Sequence, residues 1–478
     1  MPAHADRKWL ALALLCASQF MVVLDVSIVN VALPSIEKGL HFTQGNLQWV
    51  LSAYTLVFGG FLMLGGRAAD LLGRRVVFMV GLSVFTLASL ACGLATSEGF
   101  LIAARAVQGL GAAIISPAAL SIVMTTFEEG AERNKALGIW GALGGAGAAA
   151  GVLAGGVLTS WLGWAWIFFV NVPVGAAAIA FSPVLLRESR ADLGHRRFDA
   201  AGAVTVTAGL SLLVYAVVTT NKHHWGSGTT IGLLAGAAAL LVAFLGIESR
   251  APAPLMPLGF FRNRTVSGAN AVGFVLGGSI FAMFFFLSLY MQQILHYSAL
   301  KAGVAYLAIA LTVIVVAGIS QALVTKLGVK TVLVSGMLLL AAAQVWFARL
   351  PVGGRYAIDL LPGFLVAAFG LGFSFIPVSI ASLAGVAARD AGLASGLINT
   401  SQQIGGALGI AIISTVATTH TAHLLGSGDA LAPALNGGFR YAFAVTAGFA
   451  LAGALLGFGL IRKRDVETVE SAPVADAA

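Results

Sequence analysis

The chain has 478 residues, of which 59% are hydrophobic and only 10% charged, with a mean hydropathy of +0.94. Soluble domains carry roughly 25% charged residues, so a water-soluble enzyme or binding module is excluded and a polytopic helical membrane protein is expected. The formal charge of +8 implies no nucleic-acid partner, because its placement follows membrane sidedness.

Apolar stretches of spanning length fall at about 9–33, 46–66, 76–96, 99–126, 136–158, 164–186, 201–220, 230–248, 266–293, 303–325, 331–350, 358–384, 396–418 and 438–461. They predict fourteen transmembrane helices, an even number, which places both termini on one side. With the N-terminus inside, twenty Lys and Arg lie in inner segments and six in outer ones, with Arg105 left inside a span. This asymmetry predicts cytoplasmic termini and a multi-pass location in the cell membrane. The first stretch is too long, and lacks a small-residue cleavage site, for a cleaved signal peptide. Cys16 and Cys92 sit in different spans and form no metal or redox motif.

Span 1 contains "FMVVLDVSIVN", which puts Asp25 among apolar residues. A carboxylate there costs about 2.5–3.5 kcal/mol on insertion scales and needs a partner or water. Asp25 is therefore expected to face a wet central cavity, neutralised by a proton or a cationic substrate. Between spans 2 and 3, "GGRAADLLGRR" supplies Gly66, Asp70, Gly73, Arg74 and Arg75 for a tight inner turn. Asp70 is expected to attract the positive N-terminal end of span 13 and latch the inner side. In span 4, Arg105 lies about two turns from the outer surface, within reach of the neighbourhood of Asp25. A pair that forms and breaks in turn helps expel a proton from Asp25; a static pair is purely structural.

Span 5 repeats Gly147, Gly151 and Gly155, with Gly156 adjacent, as a stripe for close helix packing. Span 9 puts Phe281, Phe285 and Gln292 on one face, and span 13 groups Asn399 and Gln403. With the weaker candidates Asn30 and Tyr54, these suit a small hydrophobic, neutral or cationic cargo; interhelical packing is the competing role. His223, His224, His420 and His423 fall in outer loops, where no metal site is expected. The chain contains no phosphate-binding loop, zinc motif or nucleophile elbow, so no cofactor and no enzymatic chemistry are expected.

An internal repeat sets the architecture. "GLGAAIISPAALS" in span 4 matches "GLGFSFIPVSIAS" in span 12, and "DLLGRR" after span 2 has an echo in "TKLGVK" after span 10. The offset of eight spans predicts an all-α major facilitator fold: two parallel six-helix halves with two helices inserted between them. The halves are 1–186 and 265–461, with inserted helices and linkers at 187–264 and a cytoplasmic tail at 462–478.

"LDVSIVNVALPSI" (24–36), "GGRAADLLGRRVVF" (65–78), "LIAARAVQGLGAAI" (101–114), "WAWIFFVNVPVG" (164–175) and "GLASGLINTSQQIGGALGIA" (392–411) resemble signatures of the fourteen-helix drug:H+ antiporter-2 family, the EmrB/QacA type. The resemblance runs over nearly the whole chain. It implies a proton-coupled exporter of drugs or antibiotics working by alternating access, with Asp25 and Arg105 in proton coupling and partners limited to substrate, protons and lipid around a monomer. The alternative is a dedicated exporter of an endogenous metabolite or lipid; a non-transporting receptor lacks a signalling domain. The family's span-5 prolines are replaced here, at Ala148 and Val152.

Overall fold

The computed structural model describes residues 4–127, 131–189, 199–220, 226–251, 254–256, 258–386 and 391–462. The predicted tail beyond Arg462 and most of the charged linker at 190–198 lie outside the described residues. The helices are α1 (His4–Leu40), α2 (Gln44–Leu47), α3 (Trp49–Leu72), α4 (Arg74–Gly93), α5 (Glu98–Thr126), α6 (Ala131–Trp161), α7 (Trp166–Phe169), α8 (Asn171–Leu185), α9 (Ala200–Thr219), α10 (Gly228–Glu248), α11 (Arg264–Leu289), α12 (Ala299–Leu327), α13 (Val329–Phe347), α14 (Leu361–Ser382), α15 (Ala391–Gly426) and α16 (Leu431–Leu460).

Among the described residues, thirteen helical segments are long and apolar enough to cross a membrane. Helix α6 holds the fifth predicted span; its described apolar stretch is Ala149–Trp161. Only helices close every backbone hydrogen bond within a single apolar segment, which is why the chain takes no other form across lipid. Several helices exceed the predicted spans because polar residues continue them past the apolar slab, α1 reaching from His4 to Leu40. Span 6 is divided into α7 and α8 at Val170, next to Pro173, which has no N–H to offer the carbonyl four residues back.

Two compact units are present: Met1–Leu255 with Leu287–Ala310, and Met256–Phe286 with Leu311–Ala478. In the first, α3 and α4 pack on α5, α1 lies against α6 and α8, and the inserted α9 packs on α3 and α10. In the second, α13 packs on α14 and α16, and α15 on α16. There α11 crosses α15 closely, Gly277 facing the Gln402 carbonyl and Gly405 the Phe274 carbonyl. Small residues at crossings let backbones approach where lipid gives no hydrophobic drive to associate.

Two interhelical turns place a glycine at positive φ. Gly73 (φ +117°) joins α3 to α4, and Gly328 (φ +80°) joins α12 to α13. Both backbones occupy the left-handed region, where a Cβ is strained.

Candidate functional site

Asp25 and Arg105 are both fully buried and form a direct ion pair, with Arg105 Nη1 donating to Asp25 Oδ2 at 2.5 Å. Helices α1 and α5 supply the pair, and α3, α4 and α8 complete its shell. Asp25 Oδ1 accepts from Gln108 Nε2 at 2.8 Å and from Asn171 Nδ2 at 3.0 Å. Arg105 Nη1 also donates to Gln108 Oε1 at 2.6 Å, and its Nε donates to the Val50 carbonyl at 2.9 Å. The guanidinium carbon lies 4.3 Å from the Tyr54 ring centroid and 5.7 Å from that of Phe168. A desolvated cation over an aromatic face gains about 2 kcal/mol.

This arrangement corrects the expectation of a wet cavity beside Asp25, whose exposure is 0%. Two amide N–H donors and a guanidinium, not solvent, make the carboxylate tolerable, since a buried charge persists only when paired and hydrogen-bonded. Direct contact between Asp25 and a cationic substrate is therefore absent in this conformation. Tyr54, a substrate candidate from sequence, is fully buried with its ring against Arg105.

Gln108, Asn171 and Ser89 were not singled out by sequence reasoning. Gln108 follows Arg105 by one helical turn, so the two share a face. Asn171 stands at the start of α8, just past the break at Val170. Both amides have sequence signals, a polar residue at helical spacing from an intramembrane cation and an amide beside a proline break. Ser89 has none, because serine is ordinary in apolar helices.

At the α3–α4 turn, Asp70 accepts from Arg74 Nε at 3.2 Å and Nη2 at 3.0 Å, and from Ser121 Oγ at 3.5 Å. The predicted partner of Asp70 is the start of span 13, whose approach at 387–390 lies outside the described residues. The acid on the N-terminus of α4 is Glu188. Its carboxylate accepts from the backbone N–H groups of Arg75 and Val76, each at 3.2 Å, and sits beneath Gly73. Arg75 Nη1 donates to the Leu186 carbonyl at 3.3 Å. Gly66 faces Pro117 of α5.

The glycines of α6 lie against α1: Gly147 faces Val23, Gly151 faces Ser27 and the Leu24 carbonyl, and Gly155 the Ile28 carbonyl. Ser27 Oγ donates across this seam to the Gly147 carbonyl at 3.3 Å. Gly156 instead faces Ala299 and Leu300, and the Val152 carbonyl faces Gly303.

The sequence-predicted pocket residues divide between the two units. In the first, Ser288 Oγ donates to the Asn30 carbonyl, Gln292 Nε2 to the Val31 carbonyl at 2.8 Å, and Gln293 Nε2 to Glu37 Oε2 at 2.6 Å. Gln292 and Asn30 thus belong to a polar seam between α1 and the π-helical turn Tyr290–Ile294, a backbone form that recurs at functional sites. In the second unit, Phe285 is buried against Phe286, and Phe281 packs on Gly406. Asn399 is exposed with its amide on the Ser395 carbonyl at 2.9 Å, and Gln403 is half-buried. The amide contact between α11 and α15 comes from Ser401 Oγ, which donates to Asn270 Oδ1 at 2.9 Å.

Membrane-length helices with a buried ion pair among them define a polytopic membrane protein. The Major Facilitator Superfamily profile matches residues 15–410. The chain belongs to that superfamily. It is 39% identical over 465 residues to the puromycin resistance protein pur8 of Streptomyces alboniger, covering 96% of this chain and 92% of the relative. It is 40% identical over 450 residues to the cephamycin export protein CmcT of Amycolatopsis lactamdurans, covering 93% and 91%. The fold is similar to the peptide transporter PepTSo, with a TM-score of 0.71 at 14% identity over 96% of this chain and 98% of the other.

Proposed function

We propose that the protein exports hydrophobic antibiotics or related toxic compounds in exchange for protons, as a drug:H+ antiporter-2 type transporter with both termini in the cytoplasm. The relatives named for puromycin resistance and cephamycin export support the cargo class. The observation that carries the coupling is the buried Asp25–Arg105 pair.

In the closed pair Asp25 is ionised and both charges are compensated. A proton taken up by Asp25 removes that compensation, so the guanidinium must rely on Val50, Gln108 and the two aromatic rings. Those contacts give the cation a second resting state, and exchange between the two states drives the helices between inner and outer access. Substrate and proton thus act on alternative arrangements of one cluster instead of competing for the same oxygen. Moving one charge inward yields about 2.3 kcal/mol per 100 mV, enough for roughly a fifty-fold gradient of a neutral substrate.

The α3–α4 turn, with Asp70, Arg74 and Arg75 held by Glu188, acts in this reading as the inner latch. The α1 seam with Ser288, Gln292 and Gln293 is its outer counterpart. The halves 1–186 and 265–461 move against each other, with 187–264 as an insertion.

The test is expression in a host lacking its own pumps, challenged with an antibiotic panel that includes puromycin and a cephamycin. The expected result is resistance that disappears with a proton uncoupler and in Asp25→Asn. Resistance that survives both overturns the coupling; no resistance to any compound, with no efflux from loaded vesicles, overturns the cargo class.

A further inference from the structure

We propose that Ser89 on α4 is a positioning residue that fixes the proton affinity of Asp25 by orienting the two amides that face it. The inference rests on the proton-coupling reading of Asp25 and adds a residue outside the pair itself.

Ser89 is fully buried and touches neither Asp25 nor Arg105 by hydrogen bond. Its single hydroxyl proton goes to the Phe168 carbonyl at 3.0 Å. A hydroxyl has one proton to give and two lone pairs to receive with. With the proton committed, Ser89 Oγ accepts from Gln108 Nε2 and from Asn171 Nδ2, each at 3.0 Å. An amide is otherwise free to turn about its terminal bond and exchange N–H for C=O. Here that freedom is removed, and both NH2 groups are held between Ser89 Oγ and Asp25 Oδ1. Gln108 is fixed a second time, its Oε1 accepting from Arg105 Nη1 at 2.6 Å and from Cys92 Sγ at 3.6 Å. The Asn171 NH2 is held by Ser89 and by Asp25 itself.

The chain of orientation therefore runs from the Phe168 carbonyl, near the α7–α8 break, through Ser89 to Asn171 and Gln108, and ends at the carboxylate. Donors aimed at a carboxylate favour its ionised form, whereas an amide oxygen in the same place favours the protonated one. Replacing the serine hydroxyl by hydrogen lets Asn171 turn its oxygen to Asp25 and receive the acid proton. The ionisable groups facing Asp25 are Arg105 from α5, Cys92 from α4 and Tyr54 from α3. Helix α6 meets this part of α1 with Gly147, Gly151 and Gly155, and α8 with Asn171. A change at position 89 adds no charge and removes none of these ionisable groups.

The experiment is infrared difference spectroscopy of the whole protein in nanodiscs, titrated with pH and without substrate, with Asp25→Asn assigning the carboxylic-acid band. Losing one oriented donor to a charge costs enough to move the titration up by about one pH unit in Ser89→Ala. Ser89→Cys keeps the packing but accepts weakly, and shifts in the same direction if the alanine variant fails to fold; Ser89→Thr restores the wild-type titration. A band abolished by Asp25→Asn that titrates identically in wild type, Ser89→Ala and Ser89→Cys overturns this inference alone. The absence of any Asp25-dependent band overturns the coupling reading and this inference with it.

Discussion

The two compact units place opposite materials at matching distances from a turn glycine. Ser89 and Gln344 stand at the same distance along the chain from their turn glycines, Gly73 and Gly328. Around Ser89 the first unit builds a hydrogen-bonded cluster with two charges. In the second unit, the helices of Gln344 enclose Phe286, Phe347, Phe364, Phe439 and Phe443, with ring centroids 5.5–6.3 Å apart. Gln344 is fully buried there, and its amide nitrogen and oxygen have no hydrogen-bond partner among the described residues. One unit is thus held by directional bonds that a proton can rearrange, the other by tilted and edge-to-face rings that no proton affects. In the proposed mechanism, energy transduction belongs to the first unit and rigidity to the second.

The largest effect expected comes from breaking the charged cluster on one side. Arg105→Ala leaves Asp25 buried and uncompensated and costs about 3–5 kcal/mol, read as a fall in unfolding midpoint in detergent. The double variant Asp25→Asn/Arg105→Gln costs less than Arg105→Ala alone. Equal costs mean the pair is not a unit. In the aromatic half, Phe347→Ala costs about 3 kcal/mol through the cavity it opens, while the number of protons exchanged per substrate stays at the wild-type value. A changed ratio removes the division of labour.

Gln344→Leu is expected to raise stability by about 1 kcal/mol, because an unpartnered buried amide is replaced by a group that needs no partner. A loss of transport in that variant assigns Gln344 a role that the comparison denies. The smallest effect separates the two turns. Gly328→Ala meets no neighbour and costs about 1 kcal/mol of backbone strain. Gly73→Ala adds the displacement of Glu188 and costs more, a difference that unfolding of the two variants measures directly.

The membrane-length helices and the glycine turn at Gly73 were legible in the sequence because apolar length and glycine placement are local signals. The Asp25–Arg105 pair was legible as well, since an acid and a base inside lipid must find partners. What the sequence did not disclose was the dryness of the pair. Three donors from α5 and α8 replace the water expected around Asp25, and one, Asn171, comes from a helix far along the chain. Glu188 escaped for a similar reason: nothing in "LLRESR" marks which backbone it caps. The pocket residues were the least legible, because the amide of Gln292 and the ring of Tyr54 found partners within the protein. Side chains with several bonding options are assigned only by tertiary neighbours.

The most direct measurement is proton release from the purified protein in weak buffer on addition of a transported antibiotic, wild type against Asp25→Asn. Release in the wild type that is lost in the folded Asp25→Asn protein is the predicted result. Undiminished release from Asp25→Asn contradicts the account.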